Sequence, residues 1–139
     1  PIEHLNLYGE MDIALDAYPY NGTTTTCEAM WMGVPVVSLV GEHRASRVGL
    51  SLLSCVGLEF FAADSAAEYI AKSTALAQKP EALAKIRSSM RGRLLASPLC
   101  DAKSFAGHVE GAYRKMWQKW CLSQSNPLEN NSEIEVCVE

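Results

Sequence analysis

Asp12-Ile-Ala-Leu-Asp16-Ala-Tyr-Pro-Tyr-Asn-Gly-Thr-Thr-Thr-Thr-Cys-Glu-Ala-Met-Trp-Met-Gly-Val-Pro-Val-Val-Ser-Leu-Val40 decides how this chain folds. Ile13, Ala14 and Leu15 form a short apolar run between two acids, which reads as a buried strand with its carboxyl end near Asp16. Tyr18-Pro-Tyr-Asn-Gly22 is rich in turn formers. Thr23 to Thr26 are poor helix interiors but good N-caps, so a helix is expected to start there. That start puts Glu28 in the first turn, where a carboxylate suits the helix dipole. Gly33 reads as the C-cap. Val34 to Val40 is β-branched and reads as a second strand, with Pro35 tolerable near its start.

The pattern continues outward. Gly41-Glu-His-Arg44 is a loop, and Ala45 to Val56 reads as a helix with Val48, Leu52 and Val56 on one stripe, stopped by Gly57. Leu58 to Ala63 is a short strand candidate. Asp64 or Ser65 caps a helix running to about Lys79. Pro80 opens the next helix at a first-turn position, with Leu83, Ile86, Met90 and Leu94 as its stripe, and Ser97-Pro98 stops it. A last helix is expected from about Asp101 to Cys121. Its stripe of Phe105, Val109, Ala112, Tyr113, Met116, Trp117 and Trp120 reads as core packing. Strand–helix–strand–helix–strand implies an α/β fold with a parallel sheet and flanking helices, followed by C-terminal helices. Such sheets bind ligands at the carboxyl ends of their strands, where the loops after Asp16 and Val40 open.

A chain of 139 residues amounts to one domain at most, or part of a larger one. With 48% hydrophobic and 20% charged residues it is neither a disordered chain nor a coiled coil. It has no run of 18 apolar residues, so no membrane partner is expected. The net charge of −4 argues against a nucleic-acid binder. That charge is unevenly spread. Residues 122–139 hold four acids and no Lys or Arg, and read as a polar acidic tail without packed structure. Residues 1–121, the expected body, are neutral, yet residues 1–43 contain six acids and no Lys or Arg. Within the tail, Ile134 to Val138 alternates without enough support for a strand. Five cysteines at long spacings, with no CxxC pair, read as free thiols in a reducing cytosol. A basic start followed by an apolar run is missing, so a cytoplasmic location is expected. The chain begins inside a patterned segment without Met, which suggests a piece of a longer protein.

The loop Asn21-Gly-Thr-Thr-Thr-Thr26 carries most of the chemical information. Gly22 permits a tight turn, and the first amides of the following helix lack internal partners and carry partial positive charge. Up to four hydroxyls add donors to the same place. This is a phosphate cradle that needs no cation; the competing reading is a capped helix start with its threonines packed locally. The loop is neither a Walker sequence nor GxGxxG. Glu28 lies one turn on, where a carboxylate can accept from ribose hydroxyls; the competing reading is a surface acid favoured by the dipole. His108 reads as structural beside the apolar stripe. His43 sits in a loop at a strand end, either lining the crevice or facing solvent, and His4 is uninformative by spacing. No two histidines stand at metal spacing and no DxD occurs.

The stretch from His4 through Asp12-Ile-Ala-Leu-Asp16 and Tyr18-Pro-Tyr-Asn-Gly-Thr-Thr-Thr-Thr-Cys-Glu28 to Trp31-Met-Gly-Val-Pro35 resembles the C-terminal catalytic lobe of the O-GlcNAc transferase family. That family includes the Spindly-type protein O-fucosyltransferases and bacterial proteins with tetratricopeptide repeats. The likeness continues through Ala45 to Leu53, Val56-Gly-Leu58, Ser97 to Asp101 and Ala112 to Trp117, and so covers about residues 1–121. It implies a GT-B fold in which this chain forms half of the Rossmann-like lobe that holds the nucleotide-sugar. It also implies an inverting, metal-independent transfer of a sugar to Ser or Thr of proteins. By analogy, Thr24 and Thr25 hold the donor diphosphate, Glu28 stands where animal members have an Asp on the ribose, and His4 aligns with a histidine that contacts the nucleoside. Thr23 replaces a His of the animal enzymes and Thr26 a Gly, which brings the loop closer to the Spindly type. The donor implied is UDP-GlcNAc, with GDP-fucose as the alternative. No catalytic residue is expected in this stretch. The repeats that hold protein acceptors and the N-terminal lobe with the family's candidate base are partners outside this sequence. A non-catalytic nucleotide-binding or interaction module is the competing function.

Overall fold

The computed structural model describes residues 2–125. Three strands form a parallel sheet in the order β1 (Ala14–Leu15), β2 (Val36–Leu39), β3 (Ala62–Ala63). Ala14 pairs with Val36, and Ser38 with Ala62. The ladder extends one residue past β1, where the Asp16 amide donates to the Val37 carbonyl at 2.9 Å. Helix α1 (Ile2–Asn6) and a 3-10 turn (Leu7–Glu10) precede the sheet. The crossovers are α2 (Thr24–Trp31) and α3 (Val48–Cys55), and α4 (Ala66–Ala77) and α5 (Pro80–Leu95) follow. The expected α/β order is therefore present.

Both crossover helices end as their glycines require. Gly33 has φ +82° and Gly57 φ +66°, conformations in which a side chain is strained. At α4 the cap is Ser65, whose hydroxyl accepts from the Glu68 amide at 3.2 Å, while the Glu68 carboxylate takes the Asp64 amide at 2.8 Å. One expectation shifts. Leu58 to Ala63 gives a 3-10 turn (Glu59–Phe61) and only then a two-residue strand. The segment before Asp12 is helical, although its sequence lacked a long apolar period.

The core is one cluster drawn from every layer. Met30, Val34, Val37, Leu53, Leu58 and Met90 are almost completely buried, and Leu83 and Leu94 of the expected α5 stripe join them, with Ile86 partly buried. Arg87 and Arg91 tie α5 to the rest. Arg87 donates to the Met11 and Asp12 carbonyls, and Arg91 Nε donates to the Trp31 carbonyl at the C-terminus of α2 at 2.9 Å. A cation there also faces the negative end of that helix.

The chain divides into two compact units, Pro1–Asp101 and Ala102–Glu139. In the second, α6 (Ala102–Ser125) runs four residues past the expected Cys121. Its helical period is as read, but the burial is not. Phe105, Tyr113, Met116, Trp117 and Trp120 are exposed, with the Trp117 and Trp120 rings stacked at 5.0 Å. Apolar spacing defines a face; burial also needs a surface to cover it. The stretch 126–139, with the Ile134 to Val138 alternation and Cys137, lies outside the described residues. Cys27, Cys55 and Cys100 are free thiols. No described helix is long and apolar enough to cross a membrane.

Candidate functional site

The carboxyl end of β1 opens into a cavity of about 510 Å³. Its wall includes Asp16, Tyr20, Asn21, Gly22 and all four threonines from Thr23 to Thr26, with Tyr8 on one side. Parallel strand order brings this about: β1 ends at the sheet's ligand-binding edge, and α2 must start there to cross back.

Two side chains shape the loop. Asp16 Oδ1 accepts from the Gly22 amide at 2.8 Å and Oδ2 from the Ser38 hydroxyl at 2.6 Å. Its backbone carbonyl accepts from the Tyr69 hydroxyl of α4 at 3.1 Å. Asn21 is buried. Its Nδ2 donates to the Ala17 carbonyl at 3.0 Å, and its Oδ1 accepts from the Gly49 amide of α3 at 3.2 Å. Its backbone amide donates to the Ala45 carbonyl at 2.9 Å. The loop is thus pinned to β2, α3 and α4 without using any threonine. Gly22 leaves no room for a side chain: a Cβ would crowd the Thr25 hydroxyl and lie 2.9 Å from that of Thr26.

The threonines are arranged differently from a capped helix. Thr23 is the N-cap residue, but its backbone sits at φ −108°, ψ −72°, and its side chain makes no cap bond. A capping hydroxyl reaches the N2 or N3 amide from an extended backbone, which Thr23 does not have. The first amides of α2 therefore receive no side-chain cap bond from Thr23, and the residues that carry them line the cavity. Thr23, Thr24 and Thr25 are exposed, and no hydrogen bond within the described residues engages their hydroxyls, whereas Thr26 is buried. The hydroxyls of Thr25 and Thr26 both lie over Gly22.

Glu28 lies in the second turn of α2, not the first, because the helix starts at Thr24. His4 and Glu28, separated by 24 residues, meet: His4 Nε2 is 3.4 Å from Glu28 Oε2. Tyr8 joins them. Its hydroxyl lies 3.5 Å from the same Oε2 and 3.4 Å from the Thr25 carbonyl oxygen, and its ring packs edge-on to His4. Burial, and then the nearby Glu28 charge, push the Tyr8 phenol up from its ordinary pKa, so it remains a donor. Tyr8, Asp16 and Asn21 escaped the sequence reading as site residues. Tyr8 was nonetheless visible one helical turn after His4, and Asp16 by its place at a strand end.

The other histidines lie elsewhere. His43 is exposed and lines a separate cavity of about 420 Å³ with Tyr18, Glu42, Arg47 and Asp64. His108 is exposed on α6 rather than packed. Among the described residues no group of three or more His, Cys, Asp or Glu side chains is placed to hold a metal ion.

A parallel α/β sheet with its cavity at a strand's carboxyl end is a ligand-binding arrangement shared by many α/β folds, and the comparisons place it among GT-B glycosyltransferases. The chain belongs to glycosyl transferase family 41, whose model matches residues 2–109. It is 48% identical over 96% of its length to the probable UDP-N-acetylglucosamine–peptide N-acetylglucosaminyltransferase SPINDLY of Arabidopsis thaliana, and 42% identical over 94% to the SPINDLY protein of Oryza sativa subsp. japonica. Identity to the Arabidopsis thaliana protein SEC, of the same described activity, is 33% over 95% of the chain. A solved structure of a mutant O-GlcNAc transferase from Thermobaculum terrenum superposes with a TM-score of 0.83 at 39% identity, over 89% of this chain and 24% of that one. The chain spans about 15% of the length of the SPINDLY relatives.

Proposed function

We propose that this chain forms the donor-binding half of the C-terminal lobe of a protein O-glycosyltransferase, holding the diphosphate and ribose of a nucleotide-sugar. The observation that carries the reading is the cradle from Gly22 to Thr26: all five residues line one cavity at the start of α2, with Thr23, Thr24 and Thr25 exposed. Thr24 and Thr25 take the diphosphate, with Thr23 and Thr26 flanking them. Glu28 accepts from the ribose, and His4 lies against the nucleoside. These groups stabilise negative charge that grows on the leaving diphosphate as the sugar moves to a Ser or Thr hydroxyl with inversion. The donor is UDP-GlcNAc, as the names of the relatives suggest. The Thr23-Thr-Thr-Thr26-Cys-Glu28 loop, of Spindly type, favours GDP-fucose as the second reading.

Thr24→Ala combined with Thr25→Ala in the complete protein lowers turnover by more than tenfold; unchanged turnover removes the cradle. Calorimetry with UDP and with GDP separates the donors, and binding of GDP without UDP reverses the preference. Transfer without a metal, which the family likeness implies, is checked by turnover in excess EDTA, where no loss is expected.

A further inference from the structure

Glu28 has two carboxylate oxygens, and the protein treats them unequally. His4 Nε2 and the Tyr8 hydroxyl both approach Oε2, at 3.4 and 3.5 Å. No hydrogen bond from the described residues goes to Oε1, and the Glu28 side chain is 32% exposed. Tyr8 differs from its partners in being fixed. It belongs to the buried core cluster and is 7% exposed, while the His4 side chain is 58% exposed. Its hydroxyl has one proton and two acceptors, the Thr25 carbonyl at 3.4 Å and Glu28 Oε2, so it bridges the first and second turns of α2.

From this geometry we infer that Tyr8 is a positioning residue for nucleotide recognition. Its core-anchored hydroxyl holds Glu28 by Oε2 and so presents Oε1 to the ribose hydroxyls. The inference rests on the ribose role proposed for Glu28. A glutamate on an open helix face otherwise samples several rotamers, and fixing one in advance removes an ordering cost from ligand binding.

Tyr8→Phe keeps the ring in the core and removes only the hydroxyl. In the complete protein, calorimetry with UDP (or GDP, if that is the nucleotide bound) is expected to show a three- to tenfold weaker Kd. The donor KM rises by a similar factor while kcat holds. The 2′,3′-dideoxy form of the same nucleotide binds the variant and the parent equally. In a Glu28→Ala background the substitution adds less than twofold, because Tyr8 then has nothing to position. Wild-type affinity in Tyr8→Phe overturns the inference. So does an equal loss for the dideoxy nucleotide, or an undiminished loss in the Glu28→Ala background, since both describe a merely structural tyrosine. Unchanged affinity in Glu28→Ala alone overturns the ribose role of Glu28 itself, and this inference with it, while leaving the threonine cradle standing.

Discussion

Asp16 shows how much a single residue settles at this site. Both of its carboxylate oxygens are occupied, one by the Gly22 amide and one by the buried Ser38 hydroxyl. Asp16→Ala strands both donors, and we expect a loss of about 2 kcal/mol or more in urea unfolding. Asp16→Asn is expected to cost less than about 1 kcal/mol, because the serine hydroxyl can turn to accept from the new amide. Gly22→Ala acts on the cradle instead: the new methyl displaces the Thr25 and Thr26 hydroxyls, so nucleotide affinity falls more than melting temperature. At this scale the threonines were legible because strand, turn and hydroxyl run are contiguous. Asn21 and Tyr8 were not, since their partners at Gly49 and Glu28 lie 28 and 20 residues away and only the folded chain joins them.

Among the elements, α4 offers the cleanest test. Ser65→Ala removes its cap and should cost ~1 kcal/mol. The Lys72 ammonium, bonded to Glu68 at 2.9 Å, and then the Asp64 amide hold the Glu68 carboxyl below its usual pKa. A group whose folded pKa is depressed contributes stability above its unfolded pKa and loses it as pH falls through the folded one. Stability should therefore decline on acidification below the ordinary carboxylate range, and Glu68→Gln should flatten that part of the melting curve. Helix starts and stops were readable wherever a local device sets them, as at Ser65, Pro80, Gly33 and Gly57. The segment from Ile2 to Glu10 was not, because its helical turns are short and held by contacts of Leu5 and Tyr8 with the core. For α6 the period was readable and the environment was not, since spacing says nothing about what covers a face.

Across the whole molecule, every member of the buried cluster lies between Tyr8 and Leu94. A chain ending at Asp101 is therefore expected to unfold in one cooperative transition within a few degrees of the longer chain, as followed by circular dichroism. Loss of cooperativity on that truncation would show that the second unit is needed for the first to hold together. The α/β class and the family likeness were open to sequence reading because they live in runs of adjacent residues. The pairing of β1 with β2 and the sharing of Glu28 by His4 and Tyr8 depend on chain crossings that periodicity does not encode.

Among the described residues that line the cavity at the end of β1 there is no Lys, Arg or His, and Asp16 is the one Asp or Glu. Attraction there comes from oriented dipoles, whose reach is a few ångströms, whereas full charges act over a Debye length of about 8 Å at physiological ionic strength. The diphosphate proposed for this cavity would find no cation on this wall to steer it in from a distance. Its association rate should then vary little with added salt wherever this wall dominates the encounter. A steep salt dependence would mean that a cation from another part of the protein does the drawing in, leaving the threonines to do the holding.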